Sequence, residues 1–221
     1  MKRLVIAIDG PSGAGKGTIS RTLAETLGYR HIDTGAMYRA VGWRALFDHI
    51  ALNDEAAVAA LAQRADIVVE GGVVSIDGHD VTHAIRTPEI DKAAAAVARL
   101  PRVRDVLVIR QRALGADGGV VMEGRDIGTV VFPNADLKIY LDASAEERAR
   151  RRANDPAHTG SQGGHAAVAA AIQARDTSDT TRAVSPLTLA PDAVRIDTTS
   201  MPITEVVEKV LSLVRAKPLL P

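Results

Sequence analysis

Leu4-Val5-Ile6-Ala7-Ile8-Asp9-Gly10-Pro11-Ser12-Gly13-Ala14-Gly15-Lys16-Gly17-Thr18 is the stretch on which the reading of the whole chain turns. Its first five residues are an unbroken apolar run, the pattern of a strand buried on both faces of a parallel sheet. The residues from Gly10 fit the spacing G-x-x-x-x-G-K, and helix-compatible residues continue from about Lys16 to Leu27 before Gly28 stops them. A glycine-rich turn from a buried strand into a helix lets successive backbone N–H groups converge on phosphate oxygens, and the helix N-terminus adds its positive dipole. Lys16 stands where a lysine reaches the β- and γ-phosphates of a nucleoside triphosphate. The triphosphate-binding set is therefore Gly10, Pro11, Ser12, Gly13, Ala14, Gly15, Lys16, Gly17 and Thr18.

Outward from this loop the chain alternates strands and helices. Further β-prone runs lie at Arg30–Ile32, Val120–Met122, Leu137–Leu141 and Val194–Ile196. Helical stretches separate them: about 35–49, 54–64, one opened by Thr87-Pro88, one from Pro101 to about Leu114, one headed by Ser144-Ala-Glu-Glu147, one ending near Arg175, and a last near 203–215. Thr87-Pro88 pairs a cap with a first-turn proline, and Ser144…Glu147 has capping-box spacing. Such alternation predicts an α/β fold of three layers around a five-stranded parallel sheet. Residues 66–83 differ. Ile67–Val69, Val73–Ile76 and His79–Val81 are separated by Gly71-Gly72 and Asp77-Gly78, the chemistry of tight hairpin turns. They predict a small antiparallel three-stranded insertion that must lean on its neighbours.

Bulk properties exclude several classes. Lysine plus arginine equals aspartate plus glutamate at 27 each, so nothing points to a nucleic-acid binder acting through bulk charge. With no cysteine, neither a disulfide framework nor a thiolate metal site can form. No run reaches a membrane span, and the apolar run at the N-terminus is too short for an export signal. The expectation is a soluble cytoplasmic protein.

A phosphate loop says what is bound, not what is done with it. Asp33-Thr34-Gly35-Ala36-Met37-Tyr38-Arg39 follows the second strand and Val121-Met122-Glu123-Gly124-Arg125-Asp126 another, both at carboxyl ends, where open α/β sheets bind ligands. An arginine there suits a bidentate grip on a second phosphate, although each taken singly also fits a surface ion pair. One departure in the loop matters. Gly17 stands where a Ser or Thr often meets magnesium and brings no hydroxyl, which argues against a GTPase-like switch.

Here a family resemblance appears. Asp33-Thr-Gly-Ala-Met-Tyr-Arg39, Ile85-Arg-Thr-Pro-Glu-Ile90, Pro101-Arg-Val-Arg104, Glu123-Gly-Arg-Asp-Ile-Gly-Thr-Val-Val-Phe-Pro133 and Arg182-Ala-Val-Ser-Pro-Leu187 resemble the bacterial cytidylate kinases, in order, from Val5 to about Val210. The Gly-Lys-Gly-Thr form of the loop is likewise similar to nucleoside monophosphate kinases. The resemblance implies ATP as donor, CMP or dCMP as acceptor, and magnesium held mainly by phosphates and water, with no direct protein ligand. It implies that Asp33, Thr34 and Asp126 meet the cytidine nucleotide, that Arg125 lies close to the base, and that Arg39 and Arg104 hold the acceptor phosphate. Arg175, Asp179 and Arg182 match the pattern around the nucleotide, with Asp179 near the ribose. A monomer is expected. Ala95 stands where many relatives carry a serine near the base, which puts one base contact in doubt.

Arg148, Arg151 and Arg152 share a helix face by their spacing. They lead into residues 154–164, rich in Gly, Pro and Ser, and read as a lid whose arginines stabilise the transferring phosphoryl group. The catalytic set is Lys16, Arg125, Arg148 and Arg152. Glu147 before Arg151, and Glu146 before Arg150, offer the competing reading of ordinary helix-surface pairs. The implied division is a core of 1–34, 99–150 and 165–221, a monophosphate-binding part of 35–98, and a lid of 151–164. Two rivals stay open: a kinase for another monophosphate or small alcohol, and a binding module that hydrolyses little.

Overall fold

The computed structural model describes residues 3–155 and 164–217. In chain order the elements are β1 (Val5–Asp9), α1 (Lys16–Leu27), β2 (Arg30–Asp33), α2 (Thr34–Phe47), α3 (Glu55–Arg64), β3 (Ile67–Glu70), β4 (Val73–Ile76), β5 (His79–Asp80), α4 (Pro88–Val97) and α5 (Pro101–Gly115). Then come β6 (Val120–Gly124), a single π-helical turn (Ile127–Val131), β7 (Leu137–Asp142), α6 (Ala145–Ala153), α7 (Gly164–Thr181), β8 (Val194–Asp197) and α8 (Ile203–Arg215).

Five strands pair in parallel in the order β2-β6-β1-β7-β8. The apolar run of β1 is central, and Ile6, Ala7 and Ile8 have no exposed surface. One face of the sheet packs on α1 and α8 through Leu23, Val121, Ile139 and Val210. The other covers Ala7, Ile32, Met122 and Val131. The chain moves from β1 to one side to make β2, and later strands β7 and β8 lie on the other side. That reversal leaves a crevice at the carboxyl end of β1, where ligands bind in such sheets. The register aligns Asp33 with Glu123, and Asp9 with Gly124 and Tyr140, so these residues share the carboxyl edge of the sheet.

The insertion is a separate antiparallel sheet of β3-β4-β5. Gly71 and Gly72, and Asp77 and Gly78, all have positive φ, as their two-residue turns require. The sheet leans on α2 through Val74, Ile76 and Ala40. A further cluster joins α2, α3, α4 and α5 around Val41, Val58, Leu61, Val97 and Leu107.

Local signals explain most boundaries. Thr87 caps α4 by accepting from Ile90 N at 3.3 Å, and Ser144 caps α6 by accepting from Glu147 N at 3.2 Å. One sequence reading needs correction. α7 runs to Thr181 and not to about Arg175, its last turns braced by the Arg175–Asp179 pair at 3.3 Å and by Thr180 and Thr181 hydroxyls bonded back to earlier carbonyls. Asp142, two residues before the Ser144 cap, takes no part in capping α6. It accepts from its neighbour Ala143 N and pairs with Arg195 at 2.7 Å. The π-turn has no counterpart in the sequence reading, and it is Asp9 that holds it, accepting from Ile127 N at 2.8 Å and Gly128 N at 2.7 Å.

Candidate active site

One cavity of about 1000 Å³ opens along the carboxyl edge of the sheet, from the phosphate loop to the walls of α2, α4, α5, α6 and α7. At its donor end the backbone does the building. Gly10 approaches β7 so closely that a Cβ there would lie 2.0 Å from the Leu141 carbonyl oxygen. Gly13 packs equally tightly under α6, where a Cβ would sit 2.9 Å from Arg148 Cβ. Gly15 precedes α1 and no side chain caps that helix, so its first-turn N–H groups face the cavity as an anion site. Lys16 lies almost wholly buried with Nζ donating to the Pro11 carbonyl at 2.7 Å. Burial, reinforced by the charge of Arg125, pulls its ammonium down to about 7. Burial likewise pushes the Asp9 carboxyl up to about 6, against its two backbone N–H donors.

At the acceptor end side chains do the building, and they form two clusters. In the first, Arg39 of α2 pairs with Asp33 at 3.4 Å and with Asp91 at 3.3 Å. Arg152 of α6 also binds Asp91, and Arg175 of α7 donates to the Asp91 carbonyl at 2.8 Å. Arg125 pairs with Asp179 at 2.8 Å. Burial alone would raise the Asp179 carboxyl, but Arg125 and Arg175 hold it down at about 2. The same competition, with Arg39 and His31 opposing burial, keeps the Asp33 carboxyl below its ordinary value. In the second cluster, Arg104 is 2% exposed, lies 5.5 Å over the Tyr38 ring and binds Asp126. Arg182 Nη2 stands 3.7 Å from Asp126 Oδ1 without a hydrogen-bond partner, and Arg104 Nε is unpaired as well. Buried donors in that condition await an acceptor.

The sequence-derived residues are thus mostly brought together. Ser12 through Thr18, Asp33, Thr34, Arg39, Arg104, Arg125, Asp126, Arg152, Arg175 and Arg182 all line the cavity, as does Ala95. Thr34 donates to the Glu123 carbonyl at 2.7 Å, and Asp179 lies behind Arg125 and Arg175. Arg39 and Arg104 both line the cavity, Arg39 on α2 held by Asp33 and Asp91, and Arg104 on α5 held by Asp126. One expectation is corrected. Arg148 does not reach into the cavity. Its side chain turns back under the loop, donating to Ser12 O at 3.1 Å and Ala143 O at 3.0 Å and pairing with Asp176 at 2.5 Å. The surface-pair reading holds in part: Glu147 takes both Arg150 and Arg151, at 2.7 and 2.8 Å. Arg151 also donates to Thr198 Oγ1 and reaches the Ala14 carbonyl, tying α6 to the loop.

Some cavity residues escaped the sequence reading. Glu123 lies beside the loop, its Oε1 3.5 Å from where a Gly17 Cβ would be and 2.8 Å from His31 Nε2. Met201, Pro202, Ile203 and Val206 form an apolar wall beside Thr18. Their place just after β8, at the carboxyl edge of the sheet, was the available signal. Asp91 carried none.

A glycine-built loop at the head of a helix, facing a cluster of arginines across one cavity, is the geometry of a P-loop kinase. The fold has the same likeness: the shikimate kinase from Acinetobacter baumannii superposes with a TM-score of 0.51 at 17% identity, covering 99% of this chain and 96% of that one. A gluconokinase from Sinorhizobium meliloti 1021 gives 0.51 at 16% identity over 98% and 94%.

Within that class the chain belongs to the cytidylate kinase family, whose model matches residues 6–216. The cytidylate kinase of Desulfitobacterium hafniense (strain Y51) is 49% identical over 98% of this chain and 94% of its own length. That of Bacillus subtilis (strain 168) is 48% identical over 98% of each. The chain is a nucleoside monophosphate kinase. Among the described residues no helix is long and apolar enough to cross a membrane.

Proposed function

We propose that the chain transfers the γ-phosphoryl group of ATP to CMP or dCMP, giving ADP and CDP or dCDP, as a cytoplasmic monomer in pyrimidine nucleotide metabolism. The observation that carries the choice of base is the buried Arg104–Asp126 pair with Arg182 Nη2 beside it, which has no hydrogen-bond partner among the described residues. A carboxylate accepts from an exocyclic amine, and arginine N–H groups donate to a ring nitrogen and carbonyl, which is the pattern of the cytosine edge. Uracil would set a carbonyl against the carboxylate.

The reaction needs few parts. The nucleophile is a phosphate oxygen, already anionic near neutral pH, so no general base is required. The loop N–H groups and Lys16 bind the donor. Arg39, Arg125, Arg152 and Arg175 neutralise charge and align the two phosphates for in-line transfer. In this reading residues 35–98 carry the acceptor and 151–164 close over it, excluding water. Residues 156–163 of that lid lie outside the described residues.

The donor set beside the loop fits magnesium bound through phosphate and water. Among the described residues no three of His, Asp and Glu gather into a metal cage, Gly17 has no hydroxyl, and Glu123 is the carboxylate next to the loop. Magnesium keeps several waters when bound with nucleotides, so Glu123 would hold it through that shell. When bound, it would supply charge neutralisation to the nucleotide phosphates.

The test is coupled ADP release with ATP and, in parallel, CMP, dCMP, UMP or AMP. Fast turnover with CMP and dCMP is expected. Turnover with AMP but not CMP would refute the base assignment, and hydrolysis indifferent to every acceptor would refute the kinase reading.

A further inference from the structure

Asp91 sits in the first turn of α4, and among the described residues three arginines from three other helices converge on it. Its Oδ1 accepts from Arg39 Nε at 3.3 Å, its Oδ2 from Arg152, and its main-chain carbonyl from Arg175 Nη1 at 2.8 Å. All four residues line the cavity, and the Asp91 side chain is 24% exposed, so solvent and ligand reach it. The cluster is otherwise rich in positive charge. Burial lowers the Arg152 guanidinium, and Arg39 lowers it further while Asp91 opposes both. Burial lowers Arg175 as well, with Arg125 and Arg39 adding to it.

We propose that Asp91 is a positioning residue for the acceptor phosphate: a built-in counter-anion that holds Arg39 and Arg152 together and is displaced when a phosphate arrives. This rests on the reading of Arg39 and Arg152 as phosphate-binding groups. The chemistry of displacement follows from charge and valence. A phosphate dianion offers more charge and more acceptor oxygens than a carboxylate to the same guanidinium forks, so it wins the exchange. A weaker monoanion such as chloride does not, and the site stays closed to it. The cost is affinity: every acceptor must outcompete a carboxylate tethered within reach. The benefit is that the arginine of α6 and that of α2 stand at one point before substrate enters, with their mutual repulsion screened. A plain inter-helix ion pair would also join α4 to α6, but it would carry no consequence for anion binding.

Inorganic phosphate separates these readings without invoking the base. Calorimetric titration of the nucleotide-free protein should show Asp91→Asn binding phosphate about tenfold tighter than the parent, with a steeper dependence on ionic strength and with chloride now competing. Asp91→Glu, which restores the charge, should bind like the parent. In an Arg152→Gln background the Asn substitution should gain less, because one of the two arginines it releases is gone. Phosphate affinity unchanged or weakened in Asp91→Asn would overturn the proposal, whatever happens to thermal stability. An equal gain with Arg152 absent would overturn the shared grip. Should Asp91→Asn not fold, Asp91→Ser gives the same readout. A failure of CMP to serve as acceptor would count against the proposed reaction and leave these phosphate measurements to judge Asp91.

Discussion

In the proposed reaction the two ends of the cavity both hold phosphate, and they are built of different materials. The donor end is a contiguous loop of backbone N–H groups whose geometry comes from glycines packed against β7 and α6. Its own lysine, Lys16, is buried and donates to a main-chain carbonyl, with no carboxylate in hydrogen-bond contact among the described residues. The acceptor end is a set of arginines from α2, α5, α6 and α7 and from the segment after β6, and carboxylates hold them in place. A backbone site leaves its one buried ammonium weakly compensated by the protein, which lowers its pKa. A side-chain network carries its charge already compensated, so function and stability are tied together there.

The sharpest break in that contrast is Lys16→Met. Loss of a group that stabilises the transferring phosphates should lower kcat about 10³-fold, roughly 4 kcal/mol of transition-state energy. Yet the same change should leave stability equal or higher in urea denaturation, since it removes a desolvated ammonium. The pH dependence sharpens this. Lys16 titrates near 7 in the fold against 10.5 for an ordinary lysine. Between those values the unfolded chain binds the extra proton, so stability should rise with pH across pH 7–10.5 and the Met variant should lack that slope. Triphosphate binding raises the Lys16 pKa again, so at pH 8 it should take up a proton, read by calorimetry in buffers of different ionisation heat. A Met variant that is destabilised would break the comparison from the donor side.

The opposite balance is expected at Asp179→Asn. Arg125 and Arg175 would keep their burial and lose their charge partner. Breaking such a pair costs about 3 kcal/mol of unfolding free energy, discounted toward 2 because both arginines are about one-fifth exposed. The folded Asp179 pKa is about 2, below the ordinary value of 3.8. Its contribution is therefore present above pH 3.8 and lost as pH falls toward 2, and the Asn variant should not show that loss. Urea titrations at pH 3 and pH 7 measure both.

This difference in material also decided what could be read from sequence. The phosphate loop was legible because its parts are adjacent in the chain, and the five strands because buried parallel strands read as apolar runs. The arginines were legible singly, as charges at strand ends, but their partners were not. Arg148 has the same helical spacing as Arg152, and only the docking of α6 on Gly13 turns it away from the cavity. Asp91 has no local pattern at all, since its meaning comes from three other helices. The π-turn Ile127–Val131 left no signal in the sequence reading, because a carboxylate more than a hundred residues away holds it.

A smaller effect, on selectivity, tests whether the acceptor end divides as described. Asp126→Asn keeps the shape beside Arg104 while exchanging an acceptor oxygen for a donor amide. The ratio of kcat/KM for CMP over UMP should fall about tenfold, some 1.4 kcal/mol, because an amide N–H can meet the uracil carbonyl. Parallel kinetics on both acceptors read this directly. An unchanged ratio with both activities reduced equally would return Arg104 and Asp126 to a phosphate-holding or structural role, and the two clusters would be one.

The smallest effect marks where the network ends. Arg150 makes two hydrogen bonds to Glu147, at 2.7 and 2.8 Å, shorter than several contacts inside the cavity. Distance alone would rank it with the functional arginines. But its side chain is 62% exposed, and an exposed i,i+3 pair gains little over its two solvated ions. Glu147 also keeps Arg151 as a partner at 2.8 Å, so nothing buried is left unsatisfied when Arg150 goes. Arg150→Ala should therefore leave the urea midpoint essentially unchanged and change kcat by less than about twofold. Urea denaturation and ADP release measure the two. A larger loss in kcat with unchanged stability would mean that Arg150 swings inward during turnover, and the acceptor network would then extend along α6 beyond Arg152.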